Sequence, residues 1–511
     1  MPLSFTPMRT NGSGGGRRTA YLVIACAVLA RVALAAAAPL TPDETYYWEW
    51  SRHLAAGYLD HPAAIALCIR AGTLAFGTTA IGVRAGALLA GAVASLIIVR
   101  LSGTLGGDSA MLRAAWIIAC MPLAQVGLAL ATPDAPLLLF WALALAALVP
   151  AVRARTARSR TIAWTIAGAS LGAALSSKYT AFLLVAGVAV ALCPHAEWRA
   201  SLRTRGPYVA LAAATIVFAP NLAWNARHGW ASFAYQLAHG LAHHRGSAIA
   251  HEATLLAGQL ALVTPLLLAA LALATWRALH QRECPVRTMF AIVAGVTWLA
   301  FVATALRSAA EPNWQGPAYL SAIVLAASYD GGTRWRRLLR ASVMLGGAVT
   351  LAISVQVLVP FLPIAAALDP TAAGAGWSAL AATVDGARAG APVGATAWVA
   401  GERYQEASEL AFHLPDHPET FVVDSRGRPT QYDFRPGFAE RAHAGDRLVL
   451  VLGLFTAASD DPVIAALRPY FAHVQLRAVV PLRRGTEVRA WRRVWVLDGW
   501  RGTWPAAQLA R

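Results

Sequence analysis

Apolar stretches of about 20 residues recur from residue 19 to residue 363, separated by short segments carrying arginine. A bilayer's hydrocarbon core takes roughly 20 helical residues to cross, so this spacing predicts a polytopic helical membrane protein. The apolar runs place eleven spans, at about 19–39, 82–101, 112–131, 136–150, 161–176, 179–194, 207–224, 254–274, 288–306, 315–329 and 341–363. The shorter ones are expected to tilt, kink or extend into the nominal loops. Beyond residue 363 the pattern changes. Segments 395–400, 420–424, 447–453, 473–480 and 489–497 are short and rich in Val, Leu and aromatics, which predicts strands. Helices are expected between them at 403–414 and 461–470. The expected fold class is therefore an α-helical polytopic membrane protein with about eleven transmembrane helices and a small C-terminal α/β soluble domain. Its parts are an N-terminal segment 1–18, a transmembrane domain 19–363 with a first outside loop at 40–81, and a tail 364–511.

Charge sets the orientation. The 511 residues are 57% hydrophobic and only 14% charged, with mean hydropathy +0.50. A soluble domain carries roughly 25% charged residues, so a plain cytosolic enzyme is excluded. The net charge of +17 could suggest nucleic acid, but its distribution argues otherwise. With the N-terminus inside, the inside segments hold 19 Arg, against 6 Lys plus Arg outside. Positive loops stay in the cytoplasm, so the tail lies outside, and topology rather than nucleic acid explains the basicity. Lys178 is the only lysine in the chain. None of the five cysteines follows residue 363, so the tail has neither a disulfide nor a thiolate metal site. No Walker A loop, strand-associated GxGxxG or GxSxG elbow occurs, and no nucleotide cofactor is expected.

Up to residue 363 there are eleven acidic residues and nine histidines, and seven of each fall in outside loops. Ionisable groups near a bilayer are expensive and tend to be functional, which makes the outer face the working face. The first outside loop reads Thr41-Pro-Asp-Glu-Thr-Tyr-Tyr-Trp-Glu-Trp-Ser-Arg-His-Leu-Ala-Ala-Gly-Tyr-Leu-Asp-His-Pro62. Thr41 as N-cap, Pro42 at the first position and Glu44 closing a capping box predict a helix, with Gly57 placed to end it. Its aromatic residues Tyr46, Tyr47, Trp48 and Trp50 suit the membrane interface. Asp43 and Glu44 alone could simply favour a helix N-terminus. Asp60-His61-Pro62 in the same loop argues for a site instead. Asp134 lies in the turn Thr-Pro-Asp-Ala-Pro, where turn chemistry and function are both open. Lys178, in Ser-Ser-Lys-Tyr, is a compact cation suited to phosphate, with snorkelling as the plain alternative. Segment 220–251 is predicted as an interfacial helix plus loop with five histidines, and Glu311-Pro-Asn-Trp314 places an acid and an aromatic at a span end.

Taken in order, these motifs over roughly residues 20–330 resemble bacterial membrane glycosyltransferases. The group is that of protein O-mannosyltransferases and the lipid A aminoarabinose and galacturonic acid transferases, within the C-type (GT-C) superfamily. The tail segment Glu402-Arg-Tyr-Gln through Gln431-Tyr-Asp433 resembles the bacterial subfamily as well. The resemblance implies a GT-C-like membrane fold, a polyprenyl-phosphate sugar donor, and inverting single-displacement transfer to lipid A, another envelope glycan or lipid, or a protein. It implies the inner membrane, with the site and the tail on the periplasmic side, and membrane lipid as a partner. Asp43 matches the acidic residue proposed as general base or acceptor-orienting group, with Asp134 as a second catalytic candidate. Glu44, His61, Lys178, Arg52 and Glu311 are the substrate-binding candidates. A divalent metal cation is implied at Asp60, with His239 as a second ligand. The chain departs from the aminoarabinose transferases at Tyr46, where they have Arg, and at His61, where they have Lys. That leaves Lys178, Arg52 and Arg70 as cations for phosphate. The rival reading is a transporter or flippase for an amphipathic lipid-linked substrate; the one-sided polar face and the lack of repeated halves disfavour it.

Overall fold

The computed structural model describes residues 15–153, 156–241, 247–281, 284–423, 427–453 and 461–504. Among them, six helices are long and apolar enough to cross a membrane. These are Gly15–Ala37, Ala80–Cys120, Asp134–Val152 (part of a helix reaching Arg153), Gly206–Arg227, Pro285–Ala305 and Gly332–Leu358. A seventh arises if Ala248–Leu262 and Pro265–Gln281, bent by 101° at their junction, count as one broken span.

The eleven expected spans do not appear as eleven long helices, and the reason is local. Apolar content was continuous where helix was not. The 179–194 run is a 3₁₀ turn followed by Phe182–Ala191, ten residues. At 1.5 Å per residue that reaches about 15 Å, half a hydrocarbon core. Gly316–Ser328 has 13 residues, of which 12 are buried, so protein rather than lipid surrounds it. The run at 254–274 breaks where Thr264 takes a left-handed φ of 73° ahead of Pro265. Helix Ala64–Phe76, an apolar element inside the first loop, was not foreseen. Ala80–Cys120 is itself folded back at Gly106 and Gly107, the latter at φ 67°. A Cβ on Gly103 would stand 2.6 Å from Met111 Cγ, whereas eight residues of straight helix span about 12 Å. The separate apolar runs at 82–101 and 112–131 therefore correspond to two antiparallel arms, the second ending at Cys120 before Pro122.

The tail forms the α/β unit that its alternating segments predict. Among the described residues its sheet has five strands: β1 Ala397–Gly401, β2 Thr420–Val422, β3 Arg447–Gly453, β4 Phe471–Arg484 and β5 Glu487–Trp500. Their order is β2-β1-β3-β5-β4, with β1 parallel to β2 and β3, and β5 antiparallel to β3 and β4. β3 is buried along its whole length, as a central strand covered on both faces must be. The crossover helix Tyr404–His413 between β1 and β2 matters most for function, because it docks directly on the first-loop helix Pro42–Arg52.

Candidate active site

The helix Pro42–Arg52 starts as its sequence predicts, with Thr41 extended at the N-cap and Pro42 in the first turn. Glu44 reaches back to accept the Thr41 N–H at 2.9 Å. The helix ends at His53 rather than Gly57. Gly57 is needed for another reason, since a Cβ there would lie 2.8 Å from Asn221 Nδ2 and from the Trp224 ring. The aromatic side chains do not lie in the membrane interface. Tyr46, Tyr47, Trp48 and Trp50 are all buried, packed under the tail: Trp48 meets Phe412 edge-on at 5.1 Å, and Tyr46 lies 4.3 Å from Tyr404.

Glu44 is fully buried, and both its oxygens are committed to protein donors. Arg84 grips it through Nε and Nη2, both at 2.7 Å, and the Ala131 N–H donates at 2.9 Å. The same guanidinium donates to the carbonyls of Ala35, Ala38 and Pro39, capping the end of the Gly15–Ala37 helix. Arg52 is also engaged, with Glu49 at 2.5 Å and with the His417 carbonyl at 2.7 Å. Arg435 of the tail closes on the other Glu49 oxygen at 3.0 Å. These contacts give Glu44 and Arg52 architectural work.

Asp43 is different. It stays open to solvent, and among the described residues its carboxylate accepts one hydrogen bond, from the Tyr404 hydroxyl at 3.1 Å. The protein ringing it pushes its carboxyl above the usual range, against the Tyr404 hydrogen bond and the Arg428 charge. Asp60 accepts the Tyr46 hydroxyl at 2.9 Å, and desolvation raises its carboxyl to about 6. The Tyr46 hydroxyl in turn accepts the Gln431 N–H at 2.7 Å, and Gln431 Oε1 accepts the Leu59 N–H at 2.8 Å. The His61 ring faces Tyr47 at 6.1 Å.

A second cluster gathers at Asp134, the first residue of its helix. Lys178 Nζ donates to its Oδ1 and Asn313 Nδ2 to its Oδ2, both at 2.7 Å. The Trp314 ring lies 5.8 Å from the ammonium. Of Glu311-Pro-Asn-Trp314, then, Asn313 and Trp314 rather than the exposed Glu311 face this pair. Tyr47 links the two clusters: burial, then the charges of Asp43, Asp60, Tyr404 and Asp134, hold its phenol neutral far above the ordinary range. The two acids and the lysine singled out in sequence thus share one end of the helical domain.

Among the described residues no three His, Cys, Asp or Glu side chains converge to hold an ion. The side chain of His239 lies outside the described residues, and one Asp60 oxygen already takes the Tyr46 hydroxyl.

Sequence reasoning missed Tyr404, Arg428 and Tyr235. The Arg428 guanidinium donates to the Tyr235 hydroxyl at 3.1 Å and stands over the Tyr404 ring at 5.4 Å. Beside them opens a cavity of 1180 Å³ between helix Ala231–Leu241 and the tail, lined by Leu59, Tyr235, Arg428, Asp433, Phe434 and Trp504 among others. The resemblance of segments 402–405 and 431–433 to the bacterial subfamily was the one pointer toward this region.

A helical membrane domain whose polar end is roofed by a mixed α/β tail is a fold also seen in solved membrane glycosyltransferases. ArnT from Cupriavidus metallidurans, solved bound to undecaprenyl phosphate, superposes with a TM-score of 0.67 over 97% of this chain and 100% of its own, at 15% identity. The mycobacterial arabinofuranosyltransferase AftD gives a TM-score of 0.51 over 95% of this chain and 40% of its own, at 14% identity. In sequence, the lipid A galacturonosyltransferase RgtD of Rhizobium johnstonii is 25% identical over 440 residues, 83% of this chain and 88% of that protein. The family described as dolichyl-phosphate-mannose-protein mannosyltransferase matches residues 60–224, a stretch containing Asp60, His61, Asp134 and Lys178 but not Asp43.

Proposed function

We propose that this chain is an inverting glycosyltransferase that moves a sugar from a polyprenyl-phosphate donor to an envelope acceptor on the periplasmic face of the inner membrane. The fold shared with an undecaprenyl-phosphate-bound transferase supports the donor class, and the 25% identity to a lipid A transferase favours lipid A as acceptor. The observation that carries the reading is Asp43. It is an accessible carboxylate with, among the described residues, a single hydrogen-bonding partner, at the start of a helix and next to an acid whose two oxygens are both taken up by protein donors.

In the proposed step Asp43 takes the proton of an acceptor hydroxyl. The acceptor oxygen bonds to the anomeric carbon from the face opposite the phosphate. The anomeric C–O bond to phosphate breaks, and polyprenyl phosphate leaves with the electron pair. Lys178, held by Asp134, is assigned to the charge growing on that phosphate. The test is transfer to lipid A from purified undecaprenyl-phosphate-linked galacturonic acid, aminoarabinose and mannose, by the wild type and by Asp43→Asn. Transfer of one sugar by the wild type and its loss in folded Asp43→Asn is expected; equal transfer by both removes Asp43 from the chemistry.

A further inference from the structure

We infer that Tyr404 and Arg428, both carried by the tail, are positioning residues for Asp43, so that docking of the tail on the membrane domain keeps this carboxylate charged and aimed. The inference rests on the reading of Asp43 as proton acceptor. Its geometry crosses the domain boundary at three points. The Tyr404 hydroxyl donates to Asp43 at 3.1 Å, the Tyr404 ring packs on Tyr46 at 4.3 Å, and Arg428, standing over the Tyr404 ring at 5.4 Å, donates to the Tyr235 hydroxyl at 3.1 Å. Tyr404 is fixed in turn by its helix, whose Ser408 hydroxyl meets Thr45 at 3.2 Å.

The surroundings show why such support is required. Glu44 on its own helix is a like charge that disfavours ionisation of Asp43, as does the protein packed around it. From the first loop comes Asp60, and from the tail helix Glu409, two more acids. Tyr47 contributes a neutral phenol and Tyr235, on helix Ala231–Leu241, a partner for Arg428 rather than a charge. The opposing groups are the Tyr404 hydrogen bond and the Arg428 cation, which stays firmly protonated: burial disfavours its charge, and Tyr235, Tyr404 and Asp60 outweigh it. Both are supplied by residues some 360 or more positions away in the chain.

Infrared pH titration of the full chain in detergent micelles tests this without any substrate. The protonated-carboxyl band of Asp43 is the one absent from Asp43→Asn. In Arg428→Gln and Tyr404→Phe its midpoint should move up by about one pH unit, as loss of a nearby opposite charge or of a hydrogen bond to the charged form requires. Arg428→Lys, which keeps the charge, should move it much less. The acid limb of the pH–rate profile should shift in the same direction, with the alkaline plateau kept within a few-fold. An unmoved Asp43 band in Arg428→Gln overturns the inference, as does a uniform loss of rate with an unshifted profile or a raised donor KM alone. Full activity in Asp43→Asn would instead overturn the proton-acceptor reading, and the infrared midpoint would still report whether the tail tunes the group.

Discussion

Asp43 and Glu44 are adjacent in sequence and face opposite environments. On the Glu44 side, one buried carboxylate receives five hydrogen bonds, two from Arg84, two from the Thr41 N–H and hydroxyl and one from the Ala131 N–H, and through Arg84 ties the first membrane helix to the next. On the Asp43 side, a solvent-reachable carboxylate receives one, from a residue of another domain. A buried charge survives only when its lone pairs are satisfied, so saturation marks an acid that holds structure. An acid left under-coordinated at a cleft has room for a ligand. The same contrast separates Arg52, closed on by Glu49 and tail carbonyls, from Lys178, whose one carboxylate partner among the described residues is Asp134.

Substitutions on the two sides should fail in different ways. The largest effect expected is on rate: Asp43→Asn should lose 10²–10⁴-fold in kcat, the usual worth of a general base, with an unchanged melting temperature. Arg84→Met should do the reverse, costing about 3–5 kcal/mol of stability by stranding Glu44, seen as early thermal unfolding in detergent. Activity of the surviving folded fraction should be near normal; a loss confined to kcat would erase the distinction between the two faces. Lys178 comes next. Lys178→Ala should weaken donor binding by roughly ten- to a hundred-fold, a charge-assisted contact of ~1.5–3 kcal/mol. Lys178→Met with Asp134→Leu removes the half-buried acid together with its cation; any stability lost in Lys178→Ala should recover while donor affinity, measured by titration with undecaprenyl phosphate, should not. Recovery of both would make the pair purely structural.

The smallest expected effect concerns the docked tail. Glu409 is fully buried and lies 3.2 Å from His413, and desolvation first, then the charge of Glu44, raises its carboxyl well above the ordinary range. Burial likewise lowers His413 to about 4. A carboxyl raised in the folded state lends stability that is complete below its unfolded value of about 4.3 and fades as pH rises through the folded one. Glu409→Gln should therefore melt above the wild type at pH 8, with the gap closing below about pH 4. A constant gap would show that Glu409 does not titrate at the domain boundary.

The amino-acid order alone was enough for the membrane class, the α/β tail with its five strand segments, and the N-terminus of the first-loop helix. Those follow from local signals: hydropathy over one crossing, a short Val-, Leu- and aromatic-rich run over one strand, a Thr-Pro-Asp-Glu capping pattern over four residues. It also singled out Asp43, Asp134 and Lys178, because ionisable groups beside a bilayer are costly enough to stand out. Span number was not legible. Apolar composition does not register that Thr264 turns left-handed, that Gly106 and Gly107 reverse a helix, or that protein surrounds Gly316–Ser328. Nor could any local pattern separate Asp43 from Glu44, or bring Tyr404 and Arg428 to the first of them. Those contacts join residues some 360 or more positions apart, and only the packing of the tail on the helix Pro42–Arg52 decides which carboxylate is saturated and which is left open.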